Sequence, residues 1–323
     1  MLGFIGSRIL QAIPVLLVVG FIAFALFDYV GDPVNILLGQ DHTEAQRLAL
    51  IKQLGLDQPF FVQYGRFLWT ALHGNFGISY RLAQPVSGLI AERLPATLEL
   101  AITASVLAFA IGVPMGVYTG IHRNTALSRL FMTVSLVGVS LPTFLLGILL
   151  ILLFSVWLGW LPSFGRGPVV HVGGWWTTGF TSWAGIRSLI LPAITLGLFQ
   201  MTLIMRLVRA EMLEVLRTDY IKFARARGLT NRAINFGHAL KNTLVPVITV
   251  IGLQFGGIVA FSLVTETVFQ WPGMGLLLVQ SVAVADIPVM SAYLLLIALV
   301  FVLINLVVDL LYYAVDPRLR ARR

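Results

Sequence analysis

Six long apolar stretches, separated by polar segments, dominate the pattern of the chain. An α-helix needs about 20 apolar residues to cross the roughly 30 Å hydrocarbon core of a bilayer. The stretches show no period-2 alternation of the kind found in strands, so we interpret each one as a transmembrane helix. They cover residues 9–27, 100–121, 130–158, 188–205, 244–264 and 287–308, and the last can continue to Tyr313. The pattern predicts an all-α membrane protein with six transmembrane helices.

The first stretch raises the alternative of a cleaved signal peptide. Its apolar run is longer than the about 7–15 residues that are usual for a signal-peptide core. The small-residue pattern of a cleavage site is absent where the stretch ends, at Phe27-Asp28-Tyr29. The sequence therefore favours a retained helix.

Proline and glycine recur inside the stretches. Membrane helices tolerate these residues where neighbouring groups satisfy the freed backbone. They are equally compatible with an ordinary packed bundle and with bent helices around a translocation path. The residues concerned are Pro14, Gly112, Pro114, Gly116, Pro142, Gly147 and Pro192.

Composition supports the membrane assignment. Hydrophobic residues make up 58% of the 323-residue chain and charged residues only 11%, against about 25% charged in soluble domains. So few charges argue against a soluble enzyme. The chain has no cysteine, which excludes disulfides, zinc–thiolate sites and thiol nucleophiles.

The basic residues fall on one side when alternate loops are assigned to the two faces of the membrane. Fifteen basic and four acidic residues lie in the N-terminus, loop 122–129, segment 206–243 and the C-terminus. The opposite loops carry seven of each kind. Because cytoplasmic loops carry an excess of Lys and Arg, we expect both termini and segment 206–243 in the cytoplasm. The net charge of +8 then reflects topology and not a nucleic-acid partner.

Three carboxylates lie at the ends of the apolar stretches and are counted as intramembrane. Glu99 and Glu266 lie near the outer ends of their helices, and Asp309 lies near an inner end. Ionisable residues within a membrane are candidates for function. The sequence favours hydrogen bonding to polar neighbours in the bundle, with a proton relay and a role in gating or substrate contact as alternatives.

Segment 28–95, on the outer side, is too polar to span the membrane. It predicts a helix from Thr43 or Glu44 to Leu54 and a second, amphipathic helix over 60–72. The aromatic residues of the second helix suit a membrane interface. We favour a subdomain packed on the bundle, and a docking face for an external partner is the alternative.

Segment 206–243 is the most informative part of the chain, since helical bundles usually use short connections. Thr218 or Asp219 can act as the N-cap of a short helix that ends at Gly228, a glycine suited to positive φ. Thr230 or Asn231 can cap a further helix that runs to residue 242.

One face of the short helix combines Tyr220, Phe223, Ala224 and Arg227, which recur at helical spacing. An aromatic and basic helix of this kind fits a groove of another protein. A basic interfacial helix held by anionic lipid is the alternative.

Sequence signatures of catalysis are absent. The chain has no phosphate-binding loop of the form Gly-x-x-x-x-Gly-Lys-Ser/Thr, and none of its three lysines follows a glycine. It has no His-Glu-x-x-His zinc motif, and its five histidines (42, 73, 122, 171 and 238) are scattered. We therefore expect no ATP binding, no cofactor, no metal and no catalysis in this chain.

The loop resembles a known motif. Residues 220–229 (Tyr-Ile-Lys-Phe-Ala-Arg-Ala-Arg-Gly-Leu) and 238–246 (His-Ala-Leu-Lys-Asn-Thr-Leu-Val-Pro) are similar to the EAA loop of bacterial ABC-transporter permeases. Lys222, Phe223 and Ala224 occupy the Glu-Ala-Ala positions, and Gly228 matches the motif glycine. Lys222 in place of the Glu departs from the general pattern. A basic or small residue is usual at this position in the peptide/nickel importer family, which the chain resembles most.

Six further motifs follow in the order expected of the B-type permease subunit of that family. They are Gly-Asp-Pro at 31–33, Leu-Gly-Leu-Asp-Gln-Pro at 54–59, His-Gly-Asn-Phe-Gly-Ile-Ser at 73–79, Leu-Pro-Ala-Thr-Leu-Glu-Leu at 94–100, Phe-Gln-Trp-Pro-Gly-Met-Gly at 269–275, and Asn-Leu-Val-Val-Asp-Leu-Leu-Tyr at 305–312 with Val-Asp-Pro-Arg at 315–318.

The resemblance implies a type I ABC importer permease in the bacterial inner membrane. Its expected partners are a homologous second permease, two ATPase subunits that carry ATP and Mg, and a periplasmic binding protein. It also implies a coupling helix that contacts an ATPase through Asp219, Tyr220, Ile221, Lys222, Phe223, Ala224, Arg225, Ala226, Arg227 and Gly228. The expected division is a helix with a periplasmic subdomain (1–96), a transmembrane domain (97–313) and a basic tail (314–323).

The substrate stays open at this point. Di- and oligopeptides are the first expectation, but nickel, glutathione and opine importers share these motifs. A proton-driven secondary transporter that uses Glu99, Glu266 or Asp309 is the rival from another class, and it would transport without ATPase subunits.

Overall fold

The computed structural model describes residues 2–30, 34, 38 and 43–315. The Gly-Asp-Pro motif at 31–33, His42 and the tail from 316 to 323 lie outside the described residues. The described chain is mainly helical. Its elements in chain order are α1 (Leu2–Val30), α2 (Glu44–Leu54), α3 (Phe60–Leu72), α4 (Val86–Ile121), α5 (Ala126–Ser140), α6 (Thr143–Leu150), the π-helix π1 (Ile151–Trp157), β1 (Val170–Val172), β2 (Trp176–Thr178), α7 (Trp183–Val215), α8 (Asp219–Ala226), the π-helix π2 (Ala233–Ala239), α9 (Leu240–Val268), α10 (Met274–Ala283) and α11 (Ile287–Val315).

Four of these helices are long and apolar enough to cross a membrane. They are Gly6–Ala25 within α1, all of α4, all of α7, and Ile287–Leu310 within α11. Two bent pairs of helices also qualify when each pair is counted as one crossing, which brings the number to six. The described residues therefore contain four to six candidate spans. The six spans predicted from the sequence require both bent pairs to cross.

The third predicted stretch, residues 130–158, is not one helix. The chain turns by 112° between Ala126–Ser140 and Thr143–Trp157. Pro142 explains the break, because its ring disfavours helical geometry at the preceding residue, and its own ψ of 139° is extended. The single helix expected here is corrected to a bent pair, α5 followed by α6 and π1.

The fourth and fifth stretches are longer than predicted. α7 continues well past Met205, because residues 206–215 are mostly good helix formers. π2 leads directly into α9, which bends by 52° between Val250 and Gln254. Gly252 lies in this bend, where a Cβ would come within 2.3 Å of the Val308 side chain. A glycine is therefore needed at the bend.

The described residues form two compact units, and each is considered separately. The first comprises the described parts of Met1–Ala96, together with His171–Thr177 and Pro272–Val302. The second comprises Thr97–Val170, Thr178–Trp271 and the described residues from Leu303 onward. The functional division expected from the sequence, at residues 96/97 and 313/314, stays a prediction.

In the second unit, α4 and α7 approach closely along three glycines spaced four residues apart. A Cβ on Gly112 would lie 2.8 Å from the main-chain oxygen of Met201, and a Cβ on Gly116 would lie 2.7 Å from that of Met205. Gly120 continues the row on the same helix face. Small residues permit this approach of two backbones inside a membrane. The glycines at 112 and 116 thus act in packing.

The hydrophobic core of the second unit joins this helix pair to the short helix α8. Its buried side chains come from α4, α7, α8, π2 and α9. They are Ala108, Val113, Val117, Met201, Ile204, Val208, Met212, Ile221, Ala224, Ile234, Ala239 and Val247. Because α8 shares this core, its position is fixed by the packing of the longer helices.

In the first unit, α2 and α3 occupy the ranges that the sequence predicts. Thr43 caps α2 through a reciprocal capping box with Gln46. α3 lies along α1, where the rings of Phe60 and Tyr64 stack edge-on against Phe21 with centroids 5.6 and 5.7 Å away. The first unit thus contains a helix pair formed by segments that are distant in sequence.

Replacing Gly116 with alanine should lower the thermal stability of the chain in its assembled transporter. The added Cβ would collide with the backbone at Met205, and overpacking of this kind costs about 1–3 kcal/mol. The control is Gly88→Ala in the same helix, where no atom lies within 4 Å of the new Cβ. The measurement is the midpoint of heat-induced aggregation in detergent. Equal midpoints for the two variants would contradict the packing of α4 on α7.

Candidate functional site

The short helix α8 starts without a side-chain cap. Its N-cap residue is Thr218, whose hydroxyl donates to the carbonyl of Val215 at 2.6 Å. The carboxylate of Asp219 accepts from the ammonium of Lys222 at 2.8 Å. Thr218, one of the two residues predicted, is therefore the N-cap, although its side chain makes no capping hydrogen bond. The negative charge of Asp219 in the first turn still favours the helix through its dipole.

The helix ends as the sequence predicts. Gly228 has a φ of +78°, a conformation that is costly for residues with a Cβ. Its N–H donates to the carbonyl of Arg225 at 2.9 Å, and the N–H of Leu229 donates to that of Ala224 at 3.3 Å. Thr230 caps the following turn, since its Oγ1 accepts from the N–H of Ala233 at 3.3 Å. Of the two residues predicted as caps, Thr230 and Asn231, Thr230 is therefore the one that acts.

The sides of α8 differ in exposure. Ile221 is fully buried and Ala224 is 8% exposed, and both pack into the core of the second unit. Tyr220 is 44% exposed and Phe223 64% exposed. Ala224 therefore belongs to the buried side and not, as the spacing suggested, to the aromatic side. The other predicted contact residues are exposed: Asp219, Lys222, Arg225, Ala226, Arg227 and Gly228.

Two interactions order the exposed side of α8. The amide of Asn242, in α9, donates to the hydroxyl of Tyr220 at 2.7 Å. The guanidinium of Arg227 lies 5.7 Å from the centre of the Phe223 ring, within the range of a cation–π contact. The exposed residues thus form an aromatic and basic surface on a helix whose opposite side is packed into the core.

Glu99 lies in a buried polar cluster of the second unit. Its carboxylate accepts from Nε of Arg166 at 2.8 Å, from the Thr178 hydroxyl at 3.0 Å and from the Gly179 N–H at 2.9 Å. Glu99 is 3% exposed and Arg166 is 6% exposed. A buried charge pair needs such additional donors to offset its desolvation.

The sequence predicts no role for Arg166 in such a cluster, and its topology assigns the residue to an outer loop. Arg166 stands between Gly165 and Gly167, both with positive φ. A lone arginine between two glycines in an otherwise apolar chain was the available signal. It carries no information about the partner, because Glu99 is 67 residues away.

Glu266 lies in a second buried cluster of the same unit. Its carboxylate accepts from the hydroxyls of Thr97 at 2.7 Å and Ser262 at 3.0 Å, and the residue is fully buried. Thr97 and Glu99 are two residues apart on α4, so the motif at 94–100 supplies both clusters. Asp309 is partly buried in α11. Within the residues the structure describes, no group of three or more His, Asp or Glu side chains could hold a metal ion.

A further buried carboxylate, in the first unit, was also missed. Asp286 is 1% exposed and accepts from the hydroxyl of Ser79 and from the N–H groups of Tyr80 at 3.1 Å and Arg81 at 3.3 Å. Burial, and then the charge of Asp286, raise the pKa of the Tyr80 hydroxyl. In the topology predicted from the sequence, Asp286 belongs to an outer loop.

Two family profiles cover most of the chain. Residues 112–321 match the family described as binding-protein-dependent transport system inner membrane component. Residues 1–101 match the N-terminal family of the same membrane components.

Relatives match over nearly the whole chain. A putative peptide transport system permease protein of Brucella abortus (strain 2308) is 42% identical over 99% of both chains. The glutathione transport system permease protein of Escherichia coli (strain K12) is 41% identical, again over 99% of both. Among solved structures, the inward-facing MetNI methionine ABC transporter superposes with a TM-score of 0.56 at 22% identity, covering 71% of this chain and 96% of that one. This last likeness concerns the fold.

Replacing either member of the Glu99–Arg166 pair should destabilise the chain more than replacing both. Glu99→Leu leaves the arginine buried without its charge partner, and Arg166→Met leaves the carboxylate; such losses cost about 3–5 kcal/mol. The double variant leaves no buried charge in the pair and should recover a large part of the loss. The measurement is the thermal midpoint of the assembled transporter for all four members of the cycle. Additive losses in the double variant would show that the two charges do not stabilise each other.

Proposed function

The chain belongs to the family of binding-protein-dependent transport system inner membrane components, the permease subunits of ABC importers, and from this membership we propose that it lines the path of a short peptide. It is a multi-pass protein of the inner membrane. The finer proposal is that it is the B-type subunit, paired with a homologous second permease. A periplasmic binding protein delivers the substrate, and two ATPase subunits supply ATP and Mg.

Short peptides are the substrate class that the relatives favour. The relatives in Brucella are described as peptide transport permeases, and the relative in Escherichia coli as a glutathione permease. Glutathione is itself a tripeptide, so both descriptions fall in one chemical class. Di- and oligopeptides are therefore our first proposal and glutathione the second. Nickel chelates and opines stay as the remaining alternatives of the same family.

The coupling of ATP hydrolysis to transport is proposed to act through α8. The observation that carries this proposal is the division of α8 into a buried side, Ile221 and Ala224, and an exposed aromatic side with Phe223. The exposed side offers an aromatic knob and positive charge to a groove on an ATPase. The buried side transmits the force, because it packs in one core with α4, α7 and α9.

Close packing means that α8 moves together with the helices it contacts and not independently of them. Protein interiors move between discrete packed arrangements and do not deform continuously. A displacement of α8 by an ATPase is therefore passed to the glycine-packed pair α4–α7. The transporter's two end states must differ by only a few kcal/mol, so that nucleotide and substrate can bias them.

The proposed orientation places α8 and both termini in the cytoplasm. It is supported by the basic excess of the loops on that side. A proton-driven mechanism is disfavoured at two of its three candidate residues, Glu99 and Glu266. Glu99 is paired with an arginine, and Glu266 accepts from Thr97 and Ser262. A proton carrier at either position would have to give up these partners in each cycle.

Phe223→Ala should reduce both peptide uptake and co-purification of the ATPase subunits. The side chain is mostly exposed, so its removal costs the chain little stability, and any effect reports a lost contact. The control is Phe61→Ala, at a phenylalanine of α3 that is 77% exposed. Uptake is measured in reconstituted vesicles, and co-purification by affinity capture of this chain. Normal uptake and capture in the Phe223 variant would remove α8 as the docking site.

Gly228→Val should uncouple ATP hydrolysis from uptake. Positive φ costs residues with a Cβ about 1–2 kcal/mol, and a β-branched residue more, so the end of α8 must reorganise. The control is Gly237→Ala in π2, where no atom lies within 4 Å of the new Cβ. The readout is peptide transported per ATP hydrolysed, compared with the unaltered transporter. An unchanged ratio would mean that the geometry at Gly228 does not matter for coupling.

A further inference from the structure

The helix α3 has an exposed apolar face. Packing within the first unit does not cover this face, and the proposed function does not use it. No residue of α3, which is described throughout, is buried. Four large apolar side chains recur on the outward side at helical spacing and are 48–81% exposed. They are Phe61, Val62, Trp69 and Leu72, and we call them the outward face.

The position of α3 beside α1 determines what can cover this face. The hydroxyl of Tyr64 donates to the main-chain oxygen of Leu17 at 2.7 Å. A Cβ on Gly20 would lie 3.1 Å from the side chain of Leu68. Leu17 lies eight residues inside the Ala25 end of the candidate span Gly6–Ala25, which is about 12 Å along the helix. α3 therefore lies beside the span and not beyond its end.

The surroundings of α3 at this depth are apolar. A groove of about 330 Å³ runs between α1, α3 and the first half of α11. Its lining includes Ile13, Leu17, Leu68, Leu72, Leu295 and Leu299. The outward side of α1 carries exposed Leu10, Val18 and Ile22. The outward face of α3 thus continues a surface that a membrane-spanning helix presents to lipid.

The polar side chains of α3 point elsewhere. Gln63, Arg66 and Thr70 form one stripe, and this stripe, together with Tyr80, lines a separate cavity of about 440 Å³ whose remaining lining is mostly apolar. Charged side chains at membrane depth are expected to face a cavity that water can fill. The helix therefore has a packed side, a polar side toward a cavity and an apolar side toward the outside.

Carbonyls in the last turn of α3 accept hydrogen bonds from residues that follow the helix. The N–H groups of Gly74 and Asn75 donate to the carbonyls of Ala71 and Thr70 at 2.9 and 3.0 Å. The side chain of His73 lies 2.8 Å from the main-chain oxygen of Trp69. The N–H of Gly77 donates to the side-chain oxygen of Asn75 at 3.0 Å. A helix that ends inside a membrane needs such internal partners.

We propose that α3 is a re-entrant helix embedded in the bilayer leaflet on the side of segment 28–95, and that phospholipid acyl chains cover its outward face. The sequence treated this segment as a surface subdomain with an aromatic interface. The structure extends that interface from the membrane surface into the hydrocarbon. A protein partner bound to the outward face is the competing occupant, and the experiment separates the two.

The chain's lack of cysteine makes the test direct. Trp69→Cys and Leu72→Cys are each spin-labelled in the assembled transporter, in nanodiscs of phosphatidylethanolamine and phosphatidylglycerol. Collision rates are measured with oxygen, which concentrates in lipid, and with a water-soluble nickel chelate. Val18→Cys, on the exposed side of α1, is the lipid reference. Asp57→Cys, in the exposed turn before α3, is the aqueous reference.

Both test positions should give an oxygen-to-nickel ratio several-fold above that of Asp57 and comparable to that of Val18. A ratio like that of Asp57 would place the outward face in water and overturn the proposal. Low collision rates with both reagents would mean that protein covers the face, which overturns it equally. The outcome does not depend on the substrate or on the coupling role of α8.

A same-helix comparison sharpens the result. Arg66→Cys lies one turn from Trp69 but on the polar stripe toward the cavity. Its label should collide with the nickel chelate several-fold more often than the label at Trp69. Equal ratios at positions 66 and 69 would contradict the division of α3 into a lipid side and a water side.

Discussion

The contact between α4 and α7 is the constraint on which the second unit depends. Helices in a bilayer gain little by hiding apolar surface from lipid, so close packing of backbones has to hold them together. Gly112 and Gly116 allow this, since even one methyl group at either position would meet a main-chain oxygen of α7. The side chains next to this contact form the core that also holds Ile221 and Ala224 of α8. One packing arrangement therefore fixes both the bundle and the angle at which the aromatic and basic surface of α8 is presented.

Buried polar clusters provide the second constraint. A polar group in a membrane is costly unless it is hydrogen-bonded, and the two buried carboxylates among the described residues of the second unit meet this condition differently. Glu99 is neutralised by Arg166 and accepts further bonds from Thr178 and Gly179, whereas Glu266 accepts from the hydroxyls of Thr97 and Ser262. Since the motif at 94–100 on α4 supplies a residue to each cluster, this part of α4 connects the loop that carries Arg166 with the end of α9. We interpret these clusters as structural contacts that hold α4, the loop with Arg166 and α9 in a defined geometry.

Packing and buried polar clusters together suggest how α8 would transmit motion in the proposed coupling. The aromatic and basic side of α8 is free for a partner, while its other side is continuous with the core. When α8 is displaced, the helices that share its core are expected to move with it, because a close-packed core has low compressibility and transmits displacement. In the first unit, α3 differs from α8 in having no buried residue and a wide apolar face, which suits contact with lipid rather than the transmission of force.

The sequence by itself determined the membrane class, the ranges of α2 and α3, and the position and glycine end of α8. These features depend on hydrophobic periodicity and on local backbone preferences, and both are determined by residues that are close together in the sequence. Tertiary structure alone decided that Ala224 faces the core, that residues 130–158 bend at Pro142, and that Glu99 pairs with Arg166. It also placed α3 beside the middle of α1. The reason is physical: burial, pairing and depth are set by contacts between segments that are distant along the chain, and the pattern of one segment does not specify its partner.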